Sequence, residues 1–190
     1  LTALGHKATV ISPTNWASFL NWMPGCDAVI DYENKQVLAD ELIKDAEWIF
    51  CLDFNTLSRT KKMADALDAA SAERILIDHH REPQTEKFSF GVSDAAKSST
   101  CELVYDLIIA SGHADKLNSD CAECLYAGVM TDTGSFRFPA TTASVHTMVA
   151  HLKTLGLNHS PIHEALFDNV SESRLRFIGN VLLNCMEVFC

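Results

Sequence analysis

The sequence predicts an α/β domain built on a mainly parallel sheet flanked by helices. In the first half, short apolar runs rich in β-branched residues alternate with amphipathic segments about every 25 residues. The second half is mostly helical in pattern. The chain has 190 residues, of which 47% are hydrophobic and 21% charged, so it can bury one substantial core. This composition excludes a disordered tail, a collagen-like repeat and a coiled coil.

Four segments of the first half are predicted to be buried strands. Each is a short apolar run, and together they are Ala8–Ser12, Ala28–Asp31, Trp48–Asp53 and Arg74–Asp78. Strands separated by helices in this order form right-handed βαβ units, so they are expected to pair in parallel. Functional sites in such sheets lie at the carboxyl ends of the strands. Asp53 and Asp78 stand at two of those ends.

Amphipathic segments between and after the strands predict the helices. Two apolar helix faces lie between strands, formed by Val37, Leu38 and Leu42 and by Leu57, Ala64 and Leu67. Further helices are predicted from the capping box of Ser99 and Glu102, near Asp120–Met130, over His146–Leu155 and from Ser160-Pro161.

The last segment of the chain predicts a long helix. From Ser171 onward apolar residues recur at heptad-like spacing, at Leu175, Ile178, Leu182, Cys185 and Phe189. We therefore predict one domain over residues 1–170 and a linker helix over residues 171–190. The chain begins without methionine and stops within this apolar-striped helix, so we expect it to be part of a longer protein. The apolar face also favours self-association, which makes a homodimer an expected state.

The charge balance limits the partners of the protein. Fifteen Lys and Arg against 25 Asp and Glu give a net charge of −10, which disfavours a long nucleic-acid duplex but not a small anionic substrate in a local pocket. No apolar run approaches the roughly 20 residues of a membrane-spanning helix. The seven cysteines lack disulfide-like spacing, so we expect reduced thiols in a cytoplasmic protein.

Three short segments contain residues suited to catalysis. Asp78-His79-His80 directly follows a predicted strand, Asp132 lies in Thr131-Asp132-Thr133-Gly134-Ser135-Phe136-Arg137 after a predicted helix, and Asp53 ends its own strand. Each has an ordinary structural interpretation: an aspartate at a strand end often caps a helix, a His-His pair often lies in a loop, and Thr-Asp-Thr-Gly is a turn sequence. Their combination at the ends of neighbouring elements favours a functional site.

These residues resemble the DHH phosphoesterases. Asp78-His79-His80 matches the motif that names that family, Asp53 its preceding aspartate and Asp132 its late aspartate. The segment around Asp132 is most similar to the branch of oligoribonucleases, pAp phosphatases and cyclic-dinucleotide phosphodiesterases. It is less similar to the inorganic pyrophosphatases and the RecJ exonucleases. The resemblance covers essentially all of the chain.

The resemblance implies a site with two divalent ions, usually Mn²⁺, with Mg²⁺ or Co²⁺ as alternatives. It implies that Asp53 bridges the ions, that His79 and Asp132 coordinate one of them, that His80 faces the scissile phosphate and that Asp78 orients His79. Imidazole and carboxylate ligands together suit Mn²⁺ better than Mg²⁺. The family's first motif, a histidine and two aspartates, is expected upstream of the chain, and its substrate-binding domain downstream.

Other candidate residues are open to two interpretations. Ser99 is predicted first as a helix cap, and a phosphate contact at that helix N-terminus is a second role. Arg137 either pairs with a substrate phosphate or lies free on the surface. Cys121 and Cys124 have the spacing of a zinc or redox motif, but without a second ligand pair we predict that both are buried thiols.

The predicted function is Mn²⁺-dependent hydrolysis of a phosphoester. The expected substrates are short oligoribonucleotides, or small nucleotides such as pAp and cyclic or linear dinucleotides. One alternative is an inorganic pyrophosphatase or polyphosphatase. Another is a non-catalytic nucleotide-binding protein that lacks the first metal motif.

Overall fold

All strands of the chain pair in parallel, in the part that the structure describes. A computed structural model of the protein describes residues 1–168 and 170–188. One sheet pairs β1 (Ile11–Ser12) with β2 (Ile30–Asp31). The other has the order β3 (Trp48–Leu52), β4 (Glu73–Asp78) and β5 (Phe90–Ser93). Seven α-helices accompany the sheets within these residues: α1 (Gln36–Lys44), α2 (Ala64–Ala69), α3 (Thr100–Ala110), α4 (Ser119–Asp132), α5 (Ala143–Thr154), α6 (Ser160–His163) and α7 (Glu172–Asn184). The predicted α/β class with parallel pairing is confirmed.

The first two strands are shorter than the sequence predicts. Only Ile11–Ser12 and Ile30–Asp31 form ladder pairs, because Cys26–Ala28 folds as a 3₁₀ turn directly before β2. Likewise Leu57–Met63 is a 3₁₀ segment with a non-helical residue, Lys61, so the predicted helix over that region begins only at Ala64.

The third strand of the larger sheet, β5, is absent from the prediction. Its four residues include Gly91, which lies opposite Leu76 with a φ of 147°. A Cβ on Gly91 would lie 2.0 Å from the carbonyl oxygen of Leu76. The glycine therefore allows close approach of β5 to β4, and the same residue weakens the strand pattern in the sequence.

The described residues form two apolar cores. One is centred on α4 and α5 and contains Met130, Val145 and Leu152, and the other lies around α1, α2 and β2 and contains Tyr32, Ala39 and Leu67. The segments that follow β3 and β4 and the end of α4 are held on these cores.

The final helix begins as predicted, with the Ser171 hydroxyl accepting a hydrogen bond from the Arg174 amide. None of its residues is buried, and its apolar side chains are exposed, among them Leu175, Phe177, Ile178, Leu182 and Leu183. Phe189, which the heptad-like pattern includes, lies outside the described residues. The division into a domain over 1–170 and a linker over 171–190 stays a prediction, as does the homodimer.

Cys121 and Cys124, which have the spacing of a zinc or redox motif, differ in exposure. Six cysteines in the described part of the chain are free thiols, while Cys124 is half-buried and Cys121 is exposed. The prediction that both are buried is therefore wrong for Cys121, which lies on the outer face of the first turn of α4. Among residues 1–168 and 170–188, no helix is both long and apolar enough to cross a membrane. The cytoplasmic location stays a prediction.

Candidate metal centre

The site is built at the carboxyl ends of β3 and β4. Asp53 follows β3 in the left-handed region, with a φ of 67°, while its amide still donates to the Ile77 carbonyl of β4. Aspartate tolerates this conformation better than most residues. The turn takes the chain out of the sheet, and the Asp53 side chain is 56% exposed at the sheet edge.

The next strand ends in Asp78, which is completely buried. One carboxylate oxygen of Asp78 accepts a hydrogen bond from the His80 amide at 3.0 Å, and the other lies 2.7 Å from Nδ1 of the His80 ring. The resemblance implied that Asp78 orients His79, whereas the structure pairs Asp78 with His80. The reason is geometric: the chain turns at the strand end, so that the Asp78 carboxylate caps the residue two positions later.

His79 has a different partner. Its Nδ1 lies 3.4 Å from the carbonyl oxygen of Lys97. A carbonyl can only accept, so Nδ1 donates in this contact, and in the neutral ring the lone pair is then on Nε2. That Nε2 lies 3.5 Å from Oδ1 of Asp53 and 3.7 Å from Oδ2 of Asp132. In its neutral form the ring therefore directs a lone pair toward two carboxylates, the arrangement of a metal-ligating histidine.

Three side chains lie close enough together to hold a metal ion. Asp53, His79 and His80 each offer one ligand atom within 4.8 Å of the others. Nδ1 of His80 is 3.9 Å from Oδ1 of Asp53, the same oxygen that faces His79. Two imidazoles and carboxylates form a donor set that fits a divalent transition-metal ion. The sequence placed Asp53, His79 and Asp132 as ligands, and the structure also brings His80 to this group.

Asp132 reaches the group from the end of α4. Burial raises the pKa of Asp132, repulsion by Asp53 raises it further, and His79 and His80 oppose the shift. The turn after Asp132 is held by Thr133, whose buried hydroxyl donates to the Val129 carbonyl and accepts from the Phe136 amide. The Thr-Asp-Thr-Gly turn is thus both a structural turn and the support of a site carboxylate.

The two proposed substrate contacts differ in exposure. Ser99 is fully buried, and its hydroxyl accepts from the Glu102 amide as the N-cap of α3. This favours the capping role over a phosphate contact. Arg137 is exposed, and its Nε donates to the Gly134 carbonyl at 2.6 Å.

Several supporting residues were not predicted as part of the site. Thr100 donates to Oδ1 of Asp53 at 2.8 Å, and the Asn55 side chain donates to the Arg81 carbonyl at 2.7 Å, which ties the loop after β4 to the loop after β3. The capping box of Ser99 and Glu102 was the only sequence signal near the first contact. It predicted the start of α3 but not the contact between Thr100 and Asp53, which are 47 positions apart.

Comparison with known proteins assigns the fold to a family. The N-terminal domain of the DHH family matches residues 7–129, a range that includes Asp53 and Asp78-His79-His80. The chain belongs to the DHH family. This confirms the resemblance to that family.

Relatives of the DHH chain include enzymes of the predicted branch. The bifunctional oligoribonuclease and PAP phosphatase NrnA of Bacillus subtilis is 30% identical over 110 residues, 57% of this chain and 34% of that protein. The protein of the same name from Thermus thermophilus is 32% identical over 128 residues, covering 62% and 38%. The crystal structure of an exopolyphosphatase-related protein from Bacteroides fragilis is 37% identical with a TM-score of 0.95, and it covers 99% of this chain and 55% of that one. The DHH chain thus spans a little over a third of these NrnA proteins and about half of the solved one.

The raised pKa of Asp132 leads to a stability prediction. A carboxyl whose folded pKa lies above its unfolded value stabilises the fold only while protonated, and this contribution is lost as the pH rises through the folded pKa. At neutral pH without metal, the charge of Asp132 therefore opposes folding. We expect Asp132→Asn to raise the urea midpoint in EDTA at pH 7, and the gain to shrink as the pH falls to about 4.

A second aspartate provides the control for this experiment. Asp68 is exposed, and the hydrogen bond from Lys87 lowers its pKa, so Asp68→Asn should not raise the midpoint at pH 7. Adding Mn²⁺ should reverse the order of wild type and Asp132→Asn, because only the wild type keeps its full ligand set. A lower midpoint for Asp132→Asn in EDTA would contradict the prediction.

Proposed function

We propose that this protein is an Mn²⁺-dependent phosphoesterase that hydrolyses short oligoribonucleotides or small nucleotides such as pAp and cyclic or linear dinucleotides. The observation that carries the proposal is the convergence of Asp53, His79, His80 and Asp132 at one edge of the sheet. The oligoribonuclease and PAP phosphatase activities for which the NrnA relatives are named support this substrate class.

Asp53, His79 and Asp132 are the proposed ligands, with Asp53 between two ions. When bound, divalent ions stabilise the charge that develops on a phosphate under attack and lower the pKa of water. Asp53 suits the bridging role because one of its oxygens lies within 4 Å of both histidine rings. Co²⁺ or Mg²⁺ is an alternative ion in this scheme.

His80 is the proposed substrate-facing residue. The buried Asp78 carboxylate accepts from Nδ1 of His80, which holds the ring in one orientation. Nε2 of His80 can then donate a proton to the oxygen that leaves phosphorus when water attacks. An Asp–His pair of this kind orients the imidazole and stabilises its charge without accepting the proton itself.

Arg137 is the proposed contact for a second phosphate of the substrate. It lies on the turn that supports Asp132, and its guanidinium is exposed. In a chain with a net charge of −10, one arginine at the site can bind a terminal phosphate while the surrounding surface disfavours long strands. This combination supports a short substrate.

A second candidate is hydrolysis of polyphosphate. The exopolyphosphatase-related protein from Bacteroides fragilis aligns with almost the whole chain and supports this activity. Polyphosphate presents a phosphoanhydride bond and a nucleotide presents a phosphoester bond to the same proposed ligands. The geometry of the metal centre is therefore compatible with either substrate.

A substrate panel with Mn²⁺ distinguishes these activities. Phosphate release is measured from pAp, pyrophosphate and tripolyphosphate. Mononucleotide release is measured from pApA and from an RNA of 24 nucleotides. Each assay is run in the presence of Mn²⁺ or EDTA. We expect turnover of pAp and pApA that EDTA abolishes. Faster release from tripolyphosphate would favour the second candidate. Nucleotide binding without hydrolysis of any substrate would favour a non-catalytic binding protein.

A further inference from the structure

A buried carboxylate outside the proposed ligand set organises the first turn of α3. Glu102 is 2% exposed, and its side chain accepts four hydrogen bonds. One oxygen accepts from the Ser98 amide at 2.9 Å and the Ser98 hydroxyl at 2.7 Å. The other accepts from the Ser144 hydroxyl of α5 at 2.8 Å and from Nζ of Lys97 at 3.2 Å. Four donors satisfy the carboxylate in spite of its burial.

The donors keep this carboxylate charged. Burial alone would raise the pKa of Glu102, but the hydrogen bonds from Ser98, Ser144 and Lys97 outweigh it, and the pKa lies below its ordinary value. In an ordinary capping box the glutamate returns to the amide of the capping residue itself. Here it reaches the residue before the cap, so it restrains the chain further upstream.

The restrained residues, which we term the 97–100 segment (Lys97, Ser98, Ser99 and Thr100), touch the metal centre twice. The Thr100 hydroxyl donates to Oδ1 of Asp53 at 2.8 Å. The Lys97 carbonyl lies 3.4 Å from Nδ1 of His79 and selects the tautomer with a free Nε2. Both ends of the segment therefore contact a proposed ligand.

We propose that Glu102 is a positioning residue of the metal centre, acting through the 97–100 segment on Asp53 and His79. The inference rests on the proposed metal-dependent function. The Glu102 carboxylate accepts from both the amide and the hydroxyl of Ser98. Ser98 lies between Lys97 and Thr100, the two residues that contact the ligands. Because Ser144 belongs to α5, the same carboxylate also anchors the segment to the larger core. Loss of Glu102 frees the Lys97 carbonyl and the Thr100 hydroxyl to move away from the ligands.

The test compares Glu102→Gln with wild-type protein by two measurements. Calorimetry with MnCl₂ should show affinity lowered about 10- to 100-fold, the loss typical when an outer partner of a metal ligand is removed. Ring ¹⁵N chemical shifts of His79, recorded in EDTA, should change from one tautomer toward a mixture. Thr100→Val, which removes only the donor to Asp53, should weaken Mn²⁺ binding but keep the His79 tautomer.

Two further variants separate positioning from general destabilisation. Ile43→Ala removes a buried side chain from the core around α1 and should lower stability without changing Mn²⁺ affinity or the His79 shifts. Ser144→Ala removes one of the four donors, and it should fold and weaken Mn²⁺ binding less than Glu102→Gln does. It therefore tests the proposal even where Glu102→Gln does not fold.

The outcomes distinguish this inference from the proposed function. Wild-type affinity and unchanged His79 shifts in a folded Glu102→Gln, or in Ser144→Ala if the first variant is unfolded, would overturn the inference. Equal effects in Ile43→Ala would also overturn it, because they would show a loss of overall stability. Absence of Mn²⁺ binding by wild-type protein would instead contradict the proposed function, while the His79 shifts in EDTA would still report on Glu102.

Discussion

Replacing Asp53 by alanine is expected to lower Mn²⁺-dependent hydrolysis of pAp by about a thousandfold or more. Charge stabilisation by bound ions is worth several kcal/mol, and about 1.4 kcal/mol corresponds to a tenfold change in rate. Asp53 offers the oxygen that faces both histidine rings, so its loss removes the link between the ligands. Asp132→Ala should have a similar effect, because Asp132 is the second carboxylate beside His79. The measurements are kcat with MnCl₂ and Mn²⁺ affinity by calorimetry.

The left-handed conformation of Asp53 determines the controls. Alanine is strained at a φ of 67°, whereas asparagine tolerates it, so Asp53→Asn should lose activity while keeping near wild-type stability in EDTA. Asp31 is the last residue of β2, and its carboxylate accepts hydrogen bonds from its own turn, from the Glu33 amide and the Asn34 side chain. Asp31→Asn should keep wild-type turnover. Near wild-type turnover in Asp53→Asn or Asp132→Ala would show that the ligands are misassigned.

The two histidines are expected to respond differently to substitution. His80→Ala should lower kcat by about 10²- to 10⁴-fold, the usual contribution of a positioned proton donor, with little loss of Mn²⁺ affinity. His79→Ala should lower both, because its Nε2 faces Asp53 and Asp132. The physical reason is the difference in partners: a buried carboxylate holds His80, and a backbone carbonyl holds His79.

Calorimetry with MnCl₂ beside steady-state kinetics separates these roles. The control for loss of an imidazole is His6→Ala, because His6 is exposed and distant in sequence from His79 and His80. This variant should match wild type in both measurements. Equal losses of Mn²⁺ affinity in His79→Ala and His80→Ala would contradict the division of roles. That result would make His80 a metal ligand, in agreement with its position close to Asp53.

Much of the larger sheet could be predicted because its signal is local. Trp48–Leu52 and Glu73–Asp78 lie within one residue of the predicted strands, since both are short, continuous apolar runs. The prediction that the first of them is buried is wrong, because Trp48, Phe50 and Leu52 are exposed. β5 could not be predicted, because its pairing depends on the close approach that Gly91 allows to Leu76. A glycine in a short segment weakens the strand pattern and says nothing of the partner that it accommodates.

The site residues that end or follow β3 and β4 could be predicted from the sequence, since strand ends of a parallel sheet lie on one edge. Asp53, His79, His80 and Asp132 do lie close together, and the family match covers the first three of them. Their roles as ligands and proton donor stay predictions. Position after a strand was enough to place Asp53, His79 and His80 at that edge, whereas Asp132, at the end of α4, could be assigned to the site only through the family resemblance.

The tertiary structure alone decided which groups face one another at the site. Asp78 holds His80 and not His79, because the direction of a side chain after a strand depends on the backbone torsions of the turn. Glu102 could be recognised only as part of a helix cap, since its connection to Asp53 runs through Thr100, 47 positions from that aspartate. Sequence by itself determined the elements and the chemistry of the candidate residues. Hydrogen-bond partners brought together from distant segments were decided only by packing, because no local pattern encodes the distance between them.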